Sequence, residues 1–193
     1  FTLLFSSIAK KVIAIEPLEI NCKLIELSHI ISNFKNLNVK QCVASDSNGS
    51  CKLIFTKETA LSGILSTKKE NHIEYIKNEY RENEYKLIDS KKITIDSLEI
   101  KKLDIIKIDV EGAEFSVIKG SLKTIHRCKP RIIMVEIVDQ ALRLYGQNIS
   151  EFFKLMQENN YEPFVLEKSK LIPFKIGMYI PNDNIFFKKK IPK

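Results

Sequence analysis

Three carboxylates follow a mainly apolar run in the middle of the 193-residue sequence. Residues 103–114 read LDIIKIDVEGAE, so Asp109, Glu111 and Glu114 lie at the end of this run. A short, β-branched run of this kind is typical of a central strand in a parallel sheet. Ligands of open α/β sheets bind outside the carboxyl ends of such strands. We therefore predict a functional site at these three carboxylates, with helix capping as the alternative role.

The alternation along this strand places Lys107 and Asp109 on the same face. A neighbouring ammonium group favours the charged form of a carboxylate, so we expect Asp109 to stay ionised. Gly112 allows the backbone either to turn sharply or to approach a ligand closely. Glu114 falls in the first turn of the following helix, where the helix dipole favours a carboxylate.

Two further acidic residues follow predicted strands. Glu16, next to Pro17, comes directly after the apolar run at 12–15. A carboxylate at this place in an α/β nucleotide fold accepts hydrogen bonds from the two vicinal hydroxyls of a ribose. The alternative is an ordinary loop carboxylate beside a proline. Asp46 lies beside Ser45 in the turn cluster SDSNG, where it either receives an adenine amino group or only shapes the turn.

The remaining sequence supplies the elements that must position these residues. Strands and helices alternate along most of the chain, which predicts a doubly wound α/β domain that spans residues 1–193. We predict strands at 12–15, 39–44, 51–55, 103–110, 131–137, 164–166 and 185–187, and helices at 1–11, 18–33, 114–128 and 149–160, with a short helix at 97–98 capped by Asp96.

The stretch at 67–86 has the least core-like composition. Its charges alternate and its apolar residues are almost all Tyr and Ile, which is typical of a solvated helix or a lid. If this charged insertion covers the site, Tyr75, Tyr80 and Arg81 are candidate substrate contacts.

Composition narrows the functional classes. The formal net charge is +7, but the lysines are scattered except at Lys188, Lys189 and Lys190, so we predict no nucleic-acid partner. The four cysteines and three histidines show no metal-ligand spacing, so we predict no metal site. Thiols in apolar surroundings favour a reducing, cytoplasmic setting, and no apolar run is long enough to span a membrane.

Several sequence blocks resemble one family in order and spacing. The block IKIDVEGAEFSVIKG at 106–120 resembles the signature of the FkbM-type methyltransferases. VIAIEP at 12–17 resembles the second strand of that family, VASDSNG at 43–49 its third strand, and PRIIMVEI at 130–137 its fifth strand. ITIDSL at 93–98 resembles the segment before the central strand.

The resemblance implies a Rossmann-like fold with a mostly parallel sheet, an antiparallel last strand and S-adenosylmethionine as cofactor. It implies methyl transfer to an oxygen of a sugar or another small molecule. By position, Glu16 and Pro17 would hold the ribose, and Ser45 and Asp46 the adenine end. Asp109 would lie near the methionine moiety and the acceptor, which Glu111 and Glu114 would flank.

The sequence departs from the family at its beginning. The first strand and the Gly-rich turn of the family would lie before Phe1, and FTLLF at 1–5 resembles the start of the helix that follows that turn. A sheet without a central strand exposes unpaired backbone groups and apolar surface. We therefore expect residues 1–193 alone to fold poorly or to bind the cofactor weakly.

Two other functions fit the same pattern of strands and helices. A nicotinamide-dependent enzyme would use the same ribose-binding carboxylate. A degenerate, non-catalytic α/β domain would bind an acidic partner through its lysines, and that association would depend strongly on salt. Of the sequence blocks, only 106–120 separates the methyltransferase from the nicotinamide enzyme.

Overall fold

The computed structural model describes residues 1–56, 63–64, 85–175 and 183–190. Almost all of the predicted charged insertion at 67–86, including Tyr75, Tyr80 and Arg81, lies outside the described residues. Residues 85 and 86 belong to a strand.

Helices and strands alternate, as predicted, at residues 2–41 and 95–167, whereas the described residues of 37–93 and 161–189 form only strands, turns, bends and loops. The helices are α1 (Thr2–Ile8), α2 (Glu19–Ile31), α3 (Glu114–Lys119), α4 (Leu122–Cys128), α5 (Asp139–Leu144) and α6 (Ile149–Glu158), with a 3-10 helix at Ile95–Leu98. The strands are β1 (Val12–Glu16), β2 (Leu37–Gln41), β3 (Val43–Ala44), β4 (Gly49–Thr56), β5 (Gly63–Ile64), β6 (Tyr85–Ile93), β7 (Ile105–Ile108), β8 (Ile132–Ile137), β9 (Tyr161–Glu167), β10 (Lys170–Pro173) and β11 (Asp183–Lys189).

The described strands form three separate groups, two of them mixed, rather than one mostly parallel sheet. The largest has the order β10-β9-β11-β8-β7, the second β3-β6-β4-β5, and the third is the pair β1-β2. Parallel pairing joins β1 to β2, β3 to β6 and β7 to β8, and the other pairs are antiparallel. β11 runs antiparallel to both of its neighbours, as expected for the last strand.

The main core lies between the largest sheet and the helices that follow its parallel strands. β8 is buried along most of its length, and α6 turns Phe152, Phe153 and Met156 inward, as its sequence pattern predicts. Ile15 of β1 packs against the same cluster, which also contains Ile108 of β7. Shared core contacts therefore bring the last apolar residues of β1 and β7 to one hydrophobic cluster.

The sequence pattern at 18–33 predicts an apolar stripe on one face of the helix, and this stripe is present on α2 but faces outward. Ile20, Leu24, Leu27 and Ile31 follow helical spacing, yet they are 53–76% exposed. The buried residues of α2 are Cys22 and His29. No other described residues therefore cover the stripe. No helix among them is both long and apolar enough to cross a bilayer.

Asp96 fixes the 3-10 helix to the start of α4. We predict from sequence that Asp96 caps the short helix at 97–98, but Thr94 occupies that cap position. The Asp96 carboxylate instead accepts hydrogen bonds from the backbone N–H groups of Lys123 (3.1 Å) and Thr124 (2.7 Å). It therefore satisfies two of the amides that the first turn of a helix leaves without an intrahelical partner.

We expect Asp96→Ala to lower the free energy of unfolding by about 1–2 kcal/mol, since it removes an N-terminal cap. Urea denaturation followed by circular dichroism measures this change. Asp104→Ala is the matched control because the Asp104 side chain is exposed and has no described hydrogen bond. Equal stability of the two variants would contradict the capping role.

Candidate functional site

An ion pair fixes the first predicted site residue at the end of β7. The Lys107 ammonium group lies 3.2 Å from Asp109 Oδ2 and also donates to the carbonyl of Ile108 at 3.2 Å. The Lys107 side chain is only 8% exposed, whereas that of Asp109 is 43% exposed. The predicted pairing of Lys107 with Asp109 is therefore confirmed, and the carboxylate keeps an open side.

Glu136 of β8 is a site residue that the sequence prediction does not include. The parallel register pairs Ile108 with Val135, so Asp109 and Glu136 are the next residues along the two neighbouring strands. Their side chains share a hydrogen bond. The sequence does show that each of the two predicted strands ends at a carboxylate. It does not show the register between the strands, which brings these two carboxylates together.

The pKa values of the two carboxyl groups shift in opposite directions. Burial opposes ionisation of Asp109, but the hydrogen bond from Glu136 and the charge of Lys107 outweigh it and lower the pKa of Asp109. The hydrogen bond with Asp109, together with burial and the Asp109 charge, raises the pKa of Glu136 to about 7. The pair therefore presents one ionised carboxylate and one carboxyl group that titrates near neutral pH.

Glu111 lies next to this pair in the turn after β7. Its backbone adopts a left-handed conformation with φ +54°. Burial, followed by the charges of Asp109 and Glu114, raises the pKa of Glu111, and Lys107 partly opposes the shift. Three predicted carboxylates thus interact electrostatically at the end of β7.

Glu114 is 2% exposed and holds the same turn from inside. Its Oε1 accepts hydrogen bonds from the backbone N–H of Gly112 at 3.0 Å and of Val110 at 3.4 Å. Its buried Oε2 has no hydrogen-bond partner among the described residues. Burial raises the pKa of Glu114, opposed by the backbone hydrogen bonds. These contacts give Glu114 a positioning role, and its predicted place beside an acceptor stays a prediction.

Gly112 is required for a close backbone approach. It has φ +99°, and a Cβ atom added there would lie 2.6 Å from the carbonyl oxygen of Ala141 in α5. The sequence alone allows two roles for Gly112, a sharp turn or a close approach to a ligand. The structure shows the turn together with an approach to a neighbouring helix.

Glu16 lies at the carboxyl end of β1, with Pro17 in the turn that follows. Glu16 Oε1 accepts a hydrogen bond from the backbone N–H of Leu18 at 2.9 Å. No described hydrogen bond or ion pair joins Glu16 to Asp109. Shared packing of Ile15 and Ile108 on one core cluster is what relates the two strand ends.

Ser45 and Asp46 follow β3 and lie against the end of α3. The Ser45 N–H donates to the Ile93 carbonyl at 2.8 Å, and the hydroxyls of Ser45 and Ser47 contact Asp46 Oδ1 at 3.4 and 3.1 Å. A Cβ atom at Gly120 would lie 1.9 Å from the carbonyl oxygen of Ser45. The turn is therefore anchored to the helix that begins at the carboxylate cluster.

A separate groove lies at the opposite end of β8. It has a volume of about 890 Å³ and is lined by residues that include His126, Lys129, Tyr161, Phe164, Lys188 and Lys190. None of the predicted site residues lines it. We place the functional site at the carboxyl ends of β7 and β8, because the interacting carboxylates are there. Within the described residues, no cluster of three or more His, Cys, Asp or Glu side chains is arranged to hold a metal ion.

Comparison with known families decides the class of protein. The profile of the methyltransferase FkbM domain matches residues 1–163, which include every predicted site residue. The chain belongs to the FkbM methyltransferase family. The family resemblance that rests on the 106–120 block is thereby confirmed.

A solved structure supports the fold of this FkbM family member. The crystal structure of methyltransferase FkbM from Methylobacillus flagellatus KT matches with a TM-score of 0.52 and 15% sequence identity. The match covers 92% of this chain and 36% of that protein, so this chain spans about a third of its length. No curated protein matches the sequence.

Proposed function

We propose that this protein is an S-adenosylmethionine-dependent O-methyltransferase that acts on a hydroxyl group of a sugar or another small molecule. The observation that carries the proposal is the ionised Asp109, held by Lys107 and Glu136 at the carboxyl ends of two parallel strands in an FkbM-family chain. An ionised, partly open carboxylate suits a cationic ligand.

The ionised, partly open Asp109 carboxylate fits the positive charge of this cofactor. When bound, S-adenosylmethionine supplies a methyl carbon attached to a positively charged sulfur. Asp109 orients that cation. Glu16 accepts from the ribose hydroxyls, with Pro17 fixing the turn, and Ser45 and Asp46 receive the adenine end.

Glu111 and Glu114 complete the acceptor side of the proposed site. Glu114 keeps the 110–114 turn closed through its two backbone hydrogen bonds. Glu111 then stays close to the Asp109 carboxylate, where it contacts an acceptor hydroxyl. Such positioning of the reacting groups lowers the barrier without new covalent chemistry.

The proposed fold is Rossmann-like, with a further strand between β1 and β7. In the described part of the chain, β1 pairs only with β2 and β7 only with β8. Both strands have a free edge, and Ile105 on β7 is 36% exposed. A parallel strand with a Gly-rich turn would pair with both edges and lead towards α1. We propose a cytoplasmic location, consistent with the free thiols of the four cysteines.

The full-length protein provides the test of the proposed function. We expect isothermal titration calorimetry to detect binding of S-adenosylmethionine and S-adenosylhomocysteine, and no binding of NAD or NADP. Labelled methyl transfer to a panel of simple alkyl glycosides then tests the acceptor class. Binding of a nicotinamide cofactor in place of S-adenosylmethionine would overturn the proposal, as would the absence of binding to either.

A further inference from the structure

Asp109 and Glu136 are placed as a pair by the sheet itself. Parallel β7 and β8 are in register up to Ile108 and Val135, and each strand then reaches one carboxylate on the same face. Glu136 is neither a capping residue nor part of a described salt bridge. Its hydrogen bond to Asp109 requires a proton between two groups that are both acidic.

Lys107 decides which of the two carboxyl groups carries that proton. Its ammonium group lies 3.2 Å from Asp109 Oδ2 and is almost fully buried, so it stabilises the charge on Asp109. The proton of the hydrogen bond therefore resides on Glu136. Two carboxyl groups that share a site in this way titrate as one coupled unit.

We infer that Asp109 and Glu136 form a proton-sharing pair in which Glu136 takes up the proton released by the acceptor hydroxyl during methyl transfer. The inference deepens the proposed function and rests on it. It assigns separate roles to the two residues, since Asp109 stays ionised beside the sulfonium while Glu136 changes its protonation state.

The step balances without a further reactant. A lone pair of the acceptor oxygen forms the O–C bond to the methyl carbon, and the electrons of the C–S bond return to sulfur. Binding of the sulfonium first ionises Glu136, which releases its proton to solvent. The O–H bond of the acceptor then breaks, and its proton passes to Glu136, so the pair again holds one proton as in its starting state. A proton acceptor with a pKa near the working pH is the most effective for such a step.

The groups around Glu136 set the pH at which it titrates. Asp109 and Lys107 face it from β7, Glu111 faces it from the following turn, and Asn184 lies opposite on β11. Glu114 interacts electrostatically with Asp109. The hydrogen bond with Asp109 is the main cause that raises the pKa of Glu136, to about 7. Removing the Asp109 charge must therefore lower it.

Carbon-13 NMR of the full-length protein labelled at the glutamate carboxyl carbons tests the pair directly. We expect one signal with a midpoint near pH 7, which disappears in Glu136→Gln and moves down by at least about one pH unit in Asp109→Asn. Glu162→Gln is the control, because Glu162 is exposed and pairs with Lys190 away from the site. The inference is overturned if that midpoint is unchanged in Asp109→Asn.

Proton release on ligand binding tests the link to the reaction. Calorimetry at pH 7 in two buffers of different ionisation enthalpy counts the protons exchanged. We expect S-adenosylmethionine to release up to about 0.5 proton more than S-adenosylhomocysteine, because the sulfonium charge favours ionised Glu136. Glu136→Gln should abolish the difference.

These results separate the two proposals. Equal proton release by both ligands would overturn the reaction role of Glu136 even if both ligands bind. Absence of binding by either ligand, together with a Glu136 midpoint near pH 7 that depends on Asp109, would overturn the proposed function and uphold the proton-sharing pair.

Discussion

Asp109→Asn is expected to weaken the binding of S-adenosylmethionine by about tenfold or more and to slow methyl transfer by at least about 100-fold. The substitution removes the negative charge beside the sulfonium but keeps the shape of the side chain. The amide oxygen still accepts from Lys107, so this nearly buried cation is not left without a partner. Calorimetry and single-turnover transfer of a labelled methyl group measure the two effects.

A comparison with the neutral product S-adenosylhomocysteine shows whether the loss of affinity in Asp109→Asn depends on the sulfonium charge. S-adenosylhomocysteine has no charge on sulfur, so its affinity should change by less than about threefold in Asp109→Asn. Asp89→Asn is the matched control because Asp89 also pairs with a lysine between strands, at 2.9 Å from Lys52, but is exposed and belongs to β6. An equal loss of affinity for both ligands would show that Asp109 does not contact the cation.

Gly120→Ala is expected to lower the free energy of unfolding by at least about 2 kcal/mol, because the new methyl group has no space. Its Cβ atom would lie 1.9 Å from the Ser45 carbonyl oxygen and 2.9 Å from the carbonyl carbon. Both atoms belong to the backbone, so no rotamer change relieves the overlap. Urea denaturation with circular dichroism measures the loss.

A double variant tests whether the backbone or the side chain of Ser45 opposes the new methyl group. Ser45→Gly removes the Ser45 side chain but leaves the carbonyl group, so it should not rescue Gly120→Ala. Lys123→Ala serves as the control, since the Lys123 side chain is exposed on α4. Recovery of stability in the double variant would show that the side chain of Ser45, not its backbone, opposes the methyl group.

Short-range patterns were enough to predict three of the four carboxyl groups in the cluster, Asp109, Glu111 and Glu114. Strand alternation places Lys107 and Asp109 on one face, and the ion pair follows from that geometry alone. Glu136 could not be found in this way, because its position beside Asp109 depends on the register between β7 and β8. The first pair of that register, Ile105 and Ile132, is 27 positions apart in the sequence.

Tertiary contacts also explain the other differences from the sequence prediction. The sequence predicts a helix break at Gly120, and α3 does end there, but its φ of −74° needs no glycine. Glycine is needed at position 120 because the Ser45 carbonyl leaves no space for a side chain.

The β9–β10 hairpin turns through Lys168 and Ser169, both with positive φ. Since neither is the Gly or Asn usual in such turns, β10 carries no local signal.

The outward stripe of α2 affects how folding of this polypeptide should be assayed. Its four large aliphatic side chains offer a contiguous surface to fluorescent probes such as anilinonaphthalene sulfonate, which brighten on exposed apolar groups. A bright signal from residues 1–193 would then report native α2 as well as any molten species. Near-ultraviolet circular dichroism, which follows fixed aromatic packing, distinguishes the two, since Phe152, Phe153 and Phe187 contact one another only in the packed core.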